Sequence, residues 1–368
     1  MLDRRLLKML DVGLIVIVIV FFLFSLVMIN SATNLAEQGF TRQVKVQSVA
    51  FVIGIFFLFI ILMIDYNVWG NFYKAIYIIS ILLLLLVYIP GLGKVQYGAR
   101  SWINLGPIDF QPSEIVKIGF ILSFAKFLET RQNKLNTFKS LVPIALFSAP
   151  PILLILKEPD LGNALVLMVI IFGMVFVSGI NSKLIWKGAG ACLLAMPIIY
   201  KLMAPHQRER IDAYLHPSDL SLPGNYHVWN SKIAIGSGRL FGKGLLEGTQ
   251  KRLKFLPVQE SDFIFAVLVE ELGFIGGFVV LLLYFLFLYR MITISKNAKD
   301  TYGSLVVVGI ISMFAFQIFE NIGMTMGVMP VTGVTLPFLS YGGSSLVTNM
   351  IAVAIVLNVG MRRQKIKF

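Results

Sequence analysis

The sequence predicts an all-α integral membrane protein with about ten transmembrane helices, and three observations predict it. Hydrophobic residues make up 57% of the 368-residue chain and charged residues 14%, with a mean hydropathy of +0.82. The apolar residues gather into runs of the length that crosses hydrocarbon, and the basic residues gather in the short segments between alternate runs. A soluble domain of this length has too little interior to hide so much apolar surface, so lipid is the solvent for most of the chain.

The runs fall at 12–29, 49–64, 75–89, 115–128, 142–156, 164–180, 184–203, 263–289, 303–326 and 346–360. A spanning helix needs about 20 residues, which the first and eighth runs supply outright. The first follows Met1-Leu-Asp-Arg-Arg like a signal peptide, but it is too long and lacks a small-residue cleavage site, so a retained helix is expected. The fourth and fifth runs are short enough to be re-entrant. Between them, however, lie Lys126, Arg131, Lys134 and Lys139, a cluster expected on the cytoplasmic side, and both runs must then cross.

With the N-terminus inside, the cytoplasmic segments also hold Arg4, Arg5, Lys8, Lys74, Lys183, Lys187, Arg290, Lys296, Lys299, Arg362, Arg363, Lys365 and Lys367. The short outer loops hold only Arg42, Lys45, Lys94, Arg100 and Lys157, which fixes the expected orientation with both termini cytoplasmic. Trp69, Trp102, Trp186 and Trp229 lie at run ends or in loops, as interfacial side chains do. The whole chain reads as a single polytopic membrane domain, 1–368, with one large extracytoplasmic loop at about 204–262 between helices seven and eight.

The composition also excludes several classes of function. The single cysteine, Cys192, allows no internal disulfide, and His206, His216 and His227 are too scattered for a zinc site. The net charge of +13 is explained by the membrane topology, and no nucleic acid partner is expected.

Polar residues in or beside membrane helices are costly, and each needs a reason. Glu114 and Lys117 open the fourth helix at i, i+3, either as an ion pair that lets the helix insert or as part of a polar cavity. Asp160, in Glu158-Pro-Asp-Leu-Gly-Asn163, can be a helix N-cap. Asp262, in Ser261-Asp-Phe-Ile-Phe-Ala266, can be an N-cap too. Glu270 and Glu271 follow it about 12 Å deeper, and a carboxylate at such a boundary can carry a raised pKa and serve as a general base. The outer loop carries Gly236-Ser-Gly-Arg-Leu-Phe-Gly-Lys-Gly244 and then Lys251, Arg252 and Lys254. Its glycines and cations suit an anionic ligand such as phosphate, without a Walker pattern. Its apolar residues, Leu240, Leu245 and Leu246 among them, equally suit a segment lying on membrane lipid headgroups.

The most specific stretch is Asn321-Ile-Gly-Met-Thr-Met-Gly327-Val-Met-Pro330-Val-Thr-Gly333-Val-Thr-Leu-Pro337-Phe-Leu-Ser340-Tyr-Gly-Gly-Ser-Ser345. Such proline- and glycine-broken backbone at a membrane face is tolerated where it lines a cavity or is packed by protein. The string resembles the signature of the SEDS family (shape, elongation, division and sporulation). Gln111-Pro-Ser-Glu-Ile-Val-Lys117, Glu158-Pro-Asp-Leu-Gly162, Phe255-Leu-Pro257, Ser261-Asp-Phe-Ile-Phe-Ala266 and Glu270-Glu-Leu-Gly273 resemble further family blocks in the same order, with Ser261 where the family commonly has threonine. Together the blocks cover essentially the whole chain. Gln111-Pro-Ser-Glu114 and Gly248-Thr-Gln250 are more similar to the elongation branch than to the division branch.

The resemblance implies a ten-helix peptidoglycan glycosyltransferase of the bacterial cytoplasmic membrane that polymerises lipid II at the outer face during cell elongation. It implies Asp262 as catalytic aspartate and Glu114, Lys117 and Asp160 in a central polar cavity. A class B penicillin-binding protein, a transpeptidase, is the implied partner. The departing lipid diphosphate needs cations, for which Arg208, Arg210, Arg239, Lys243, Lys251, Arg252 and Lys254 are candidates. No cofactor is required by the sequence; a divalent cation such as Mg2+ can assist at the diphosphate. The rival expectations are a lipid II flippase, since ten helices with charges near mid-membrane suit a transporter, and a non-catalytic scaffold for the transpeptidase.

Overall fold

The computed structural model describes residues 8–33, 39–96, 99–104, 109–132, 138–181, 205–222, 224–249 and 258–363, with residues 6 and 256 and isolated positions between 183 and 203. Among the described residues, nine helices coincide with nine of the ten apolar runs. They are α1 (Val12–Thr33), α2 (Arg42–Met63), α4 (Tyr73–Leu86), α5 (Pro112–Glu129), α6 (Phe138–Lys157), α7 (Leu161–Val177), α10 (Ile264–Lys296), α11 (Thr301–Met326) and α12 (Gly343–Met361). A six-residue helix, α3 (Tyr66–Asn71), leads into α4, and two helices, α8 (Pro205–Leu215) and α9 (Asn225–Ser237), fold within the large loop. The seventh run, with Cys192, falls mostly outside the described residues. Five helices (α1, α2, α10, α11 and α12) are long and apolar enough to cross a membrane, and α4, α6 and α7 are shorter apolar helices.

The all-helical expectation misses one element. The segment between α4 and α5 forms an antiparallel sheet ordered β1 (Gly93–Gln96), β2 (Ala99–Asn104), β3 (Asp109–Phe110). Ile103 pairs with Gly93 on one side and Phe110 on the other, and Lys94 and Asp109 on the outer strands form an ion pair of 2.9 Å. The strands, of two to six residues, are too short to register as a periodic run, and the sheet hands the chain directly to Gln111.

Helix α12 is the central helix, 89% buried over its most apolar window, whereas α2 and α10 are each 28% buried and present apolar faces outward. Phe274, Phe278 and Phe285 on α10 and Val52, Phe56 and Phe59 on α2 are exposed, which only a lipid solvent accommodates. The interior is closed by an aromatic cluster in which Phe338 lies 5.6 Å from Phe287, 5.7 Å from Phe314 and 6.3 Å from Phe21.

The segments expected on one side of the membrane meet at one end of the bundle. At one end Asp11 meets Arg290 at 3.3 Å, Asp65 meets Arg362 at 3.2 Å, and Tyr66 donates to Asp300 at 2.6 Å. At the opposite end, the sheet end, Gln111, Asp160, Asp262 and the 327–343 segment come together.

Candidate active site

Asp262 sits in a turn just ahead of α10. The cap position of α10 belongs to Phe263 and has no side-chain cap bond, so the N-cap reading of Asp262 falls away. The turn is strained. Val258 is held at φ 49°, a left-handed conformation that a β-branched residue rarely takes, and its carbonyl accepts from both the Ser261 and Asp262 amides. The carboxylate is half-buried and accepts from Ser261 Oγ at 2.8 Å. Burial pushes the Asp262 carboxyl above its ordinary range; the Ser261 hydroxyl bond and the Arg210 charge pull it down, and Glu260 pushes it up.

The signature segment holds this turn. Tyr341 N donates to Glu260 O at 2.8 Å, Ser340 Oγ to Ser261 O at 2.6 Å, and Asn321 Nδ2 to both Asp262 O at 3.1 Å and Val334 O at 2.9 Å. A Cβ on Gly333 would lie 3.7 Å from Asp262 Oδ2, so the segment passes alongside the carboxylate.

The same segment borders the second polar group. Lys117 Nζ, fully buried, lies 2.8 Å from both Glu114 Oε1 and Asn163 Oδ1. Asn163 Nδ2 donates to Asp160 Oδ2 at 2.8 Å, and Gln111 Nε2 donates to the same oxygen at 2.9 Å. Asp160 also caps α7 through Asn163 N at 3.0 Å. The cap and cavity readings of Asp160 thus hold together, and Glu114–Lys117 is one link of a polar chain. Helix α7 abuts the signature segment at Gly162, where a Cβ would lie 2.7 Å from Val334 Cγ2 and 3.1 Å from Thr332 O.

The predicted cations separate. Arg210 reaches the site: its guanidinium donates to Thr332 O at 3.3 Å. Arg208 turns away, donating to Lys201 O and lying 5.9 Å from the Tyr200 ring. Lys251, Arg252 and Lys254 lie outside the described residues.

Lys243, another candidate cation, is ion-paired: its ammonium is 2.7 Å from the buried Glu270 carboxylate and 2.6 Å from Thr249 Oγ1. The glycine-rich loop around it is docked into a break in α10 at Gly273 (φ 70°, ψ −169°). Lys243 N and Gly244 N donate to Glu270 O and Glu271 O at 3.0 Å each. Phe274 N and Ile275 N donate to Arg239 O and Leu240 O at 2.8 and 3.2 Å. These are groups that the helix break leaves unpaired. Arg239 therefore serves through its carbonyl, while its side chain is exposed. A Cβ on Gly238 or Gly242 would stand 2.0 or 2.1 Å from the Val269 or Glu271 carbonyl oxygen, so these glycines permit backbone docking. Glu271 accepts from Ser31 Oγ of α1 at 2.7 Å.

Sequence reasoning missed Asn163, the hinge of the polar chain, although it closes a quoted motif. It also missed Glu158, whose fully buried carboxyl is pushed up to about 9 by burial and by Asp160 beside it. Glu320 was missed as well: it is fully buried on α11 and accepts from Thr332 Oγ1 at 2.8 Å. Among the described residues, no group of three or more His, Cys, Asp or Glu side chains is placed to hold a metal ion.

Comparison with known proteins gives a consistent answer. The family profile for FtsW, RodA and SpoVE, described as cell cycle protein, matches residues 6–365. The chain is 40% identical to stage V sporulation protein E of Bacillus subtilis, over 95% of this chain and 96% of that one. It is 37% identical to the peptidoglycan glycosyltransferase MrdB of Escherichia coli, over 96% and 94%. Among solved structures, the rod shape determining protein RodA of Thermus thermophilus superimposes with a TM-score of 0.73 at 31% identity, covering 97% of this chain and 98% of that one. A chain from a peptidoglycan synthase complex that coordinates polymerization and crosslinking superimposes with a TM-score of 0.80 at 31% identity, covering 96% and 98%. The bundle, the turn bearing Asp262 and the signature segment that holds it are thus those of a multi-pass membrane protein that belongs to the FtsW/RodA/SpoVE family, the SEDS family.

Proposed function

We propose that the chain is a peptidoglycan glycosyltransferase that polymerises lipid II, with Asp262 as its general base. The observation that carries this reading is the state of Asp262. Its carboxylate is half-buried, caps no helix, lies beside the Arg210 charge, and sits on a strained turn tied down from three sides. A base must be fixed before it meets its proton.

In the reaction, the Asp262 carboxylate takes the proton of the acceptor's sugar hydroxyl. The freed oxygen electron pair forms the new bond to the donor's anomeric carbon, and the bond from that carbon to the lipid diphosphate breaks with its electrons on the leaving oxygen. Cations near that oxygen stabilise the developing charge. The polar chain Glu114–Lys117–Asn163–Asp160–Gln111 meets the signature segment beside Gly162, and its half-buried members Asp160 and Gln111 are the ones assigned to the sugar hydroxyls. The charge bias of the sequence sets the sheet end on the outer face, where lipid II is consumed. A class B penicillin-binding protein is the partner, a reading supported by the likeness to the synthase-complex chain. Service to cell elongation is supported by the likeness to RodA, with sporulation as the alternative suggested by the 40% relative.

The test is lipid II polymerisation by the purified protein, with and without a class B transpeptidase, comparing wild type with Asp262→Ala. Glycan chains from wild type and none from the folded variant support the reading. Lipid II crossing liposome bilayers without any glycan formed, even with the partner, replaces it with the flippase.

A further inference from the structure

Beside the candidate site, α8, α9 and the 327–331 segment form a groove of about 280 Å³. Its walls are fixed: Ser231 Oγ of α9 donates to Thr325 O at 2.8 Å, and Tyr214 Oη of α8 donates to Val328 O at 2.9 Å. Arg210 and Lys232 supply two cations and Glu209, exposed, one carboxylate. Trp229, 51% exposed, offers a flat aromatic face, with Met329 and Val331 completing an apolar side.

The two cations differ from Lys243 and Arg208. Lys243 is consumed by Glu270, and Arg208 by a carbonyl of its own neighbourhood. Among the described residues, neither Arg210 nor Lys232 is in an ion pair. Arg210 is held by Thr332 O at 3.3 Å, and its charge also acts on Asp262. Lys232 folds over Gly327, where a Cβ would lie 2.5 Å from its Nζ. Two cations outside any ion pair, lining one groove with an indole that sits one turn from Lys232 on α9, suit an anion attached to a ring or hydrocarbon body.

We infer that this groove seats the diphosphate of the polyprenyl-linked donor, with Arg210 and Lys232 as its cations and Trp229 against the attached sugar or first isoprene. The inference rests on the glycosyltransferase reading and adds the place where the donor's anionic group sits. Arg210, shared between groove and Asp262, brings the leaving oxygen and the base to one locus. When the anomeric carbon–oxygen bond breaks, the charge that appears on the diphosphate meets cations already in place.

The experiment uses the full chain in detergent, with Trp229 fluorescence as readout and farnesyl diphosphate, farnesol and inorganic pyrophosphate as probes; Trp229→Phe identifies the signal. Farnesyl diphosphate should quench saturably and pyrophosphate should compete. Lys232→Ala should raise the apparent Kd about five- to tenfold, and Lys232→Arg should restore it. In polymerisation, Lys232→Ala should raise KM for lipid II more than it lowers kcat. Quenching by farnesol equal to that by the diphosphate, or a Kd unmoved by Lys232→Ala, would overturn the assignment. The two readings fail separately. Diphosphate binding at Trp229 with no glycan made removes the polymerase reading and leaves an isoprenyl-diphosphate site. Normal polymerisation with Trp229 silent removes the groove alone.

Discussion

Replacing Gly242 by alanine tests whether the glycine-rich loop serves the fold or a ligand. Gly242 has φ 80°, and a Cβ there would stand 2.1 Å from Glu271 O and 2.6 Å from Gly273 N, both backbone atoms that have nowhere to go. The loop must lift from the break in α10. Four backbone bonds of 2.8 to 3.2 Å are at stake, and losing two of them costs about 1–3 kcal/mol. The left-handed conformation costs alanine about 1 kcal/mol more. A total of about 2–4 kcal/mol, against an unfolding entropy of about 0.8 kcal/mol/K for 368 residues, lowers Tm by about 3–5 °C. Gly238→Ala, 2.0 Å from Val269 O, should act alike. Gly236→Ala is the control: nothing lies within 4 Å of its Cβ, and alanine in α9 should be neutral or stabilise by up to about 1 kcal/mol. Thermal unfolding in detergent at one scan rate, with loop proteolysis alongside, measures all three. If Gly242→Ala keeps the wild-type Tm and protease resistance but loses affinity for a phosphate-bearing ligand, the docking argument is wrong and the glycines form a cradle.

Further outcomes follow from the same geometry. As general base, Asp262 must be ionised, so activity rises with pH through a carboxyl raised by burial; Ser261→Ala removes a bond that lowers it and should move the acid limb of kcat/KM to higher pH. A limb that stays in place would show that another group titrates. Lys117→Met strands the buried Glu114 and should cost about 3–5 kcal/mol, whereas Lys117→Met with Glu114→Gln should cost far less. Equal losses in thermal unfolding would mean the pair is not coupled. Glu158, near 4.5 when unfolded and about 9 when folded, binds more protons folded than unfolded between those values. Stability should therefore decline as pH rises from 4.5 to about 9 and level off above, and Glu158→Gln should remove that decline. An unchanged pH profile in the variant would place the titration elsewhere.

The helices were legible because membrane physics writes them in long apolar runs. The Glu114–Lys117 pair was legible because charge beside a spanning helix is rare. The glycine-rich loop was legible only as a loop. Glycine serves close approach to a ligand and to backbone alike, and the choice depends on Gly273, distant in sequence, breaking α10. The sheet was missed because its strands are two to six residues long and not periodic. Asn163 and Lys232 were missed for a different reason: each matters through what faces it, Lys117 in one case and the Arg210 side of a groove in the other.

The signature segment explains why the site is built on irregular backbone. A tenth straight helix end would satisfy its own amides and offer the turn at Asp262 only side chains. The broken 327–343 segment instead offers main-chain donors and acceptors in several directions. Gln47 of α2 pairs with both Ser340 O at 3.1 Å and Gly342 N at 3.2 Å, Tyr284 Oη donates to Pro337 O at 2.6 Å, and Phe338 fills the aromatic cluster below. What remains free of that scaffold faces Asp262 on one side, Arg210 on another and α7 on a third. Asp262, Arg210 and the cap of the Asp160 chain thereby share a single strip, Thr332–Val334. Because the three meet on backbone, a substitution that shifts this strip should disturb all of them together, and side-chain changes at any one should leave the other two in place.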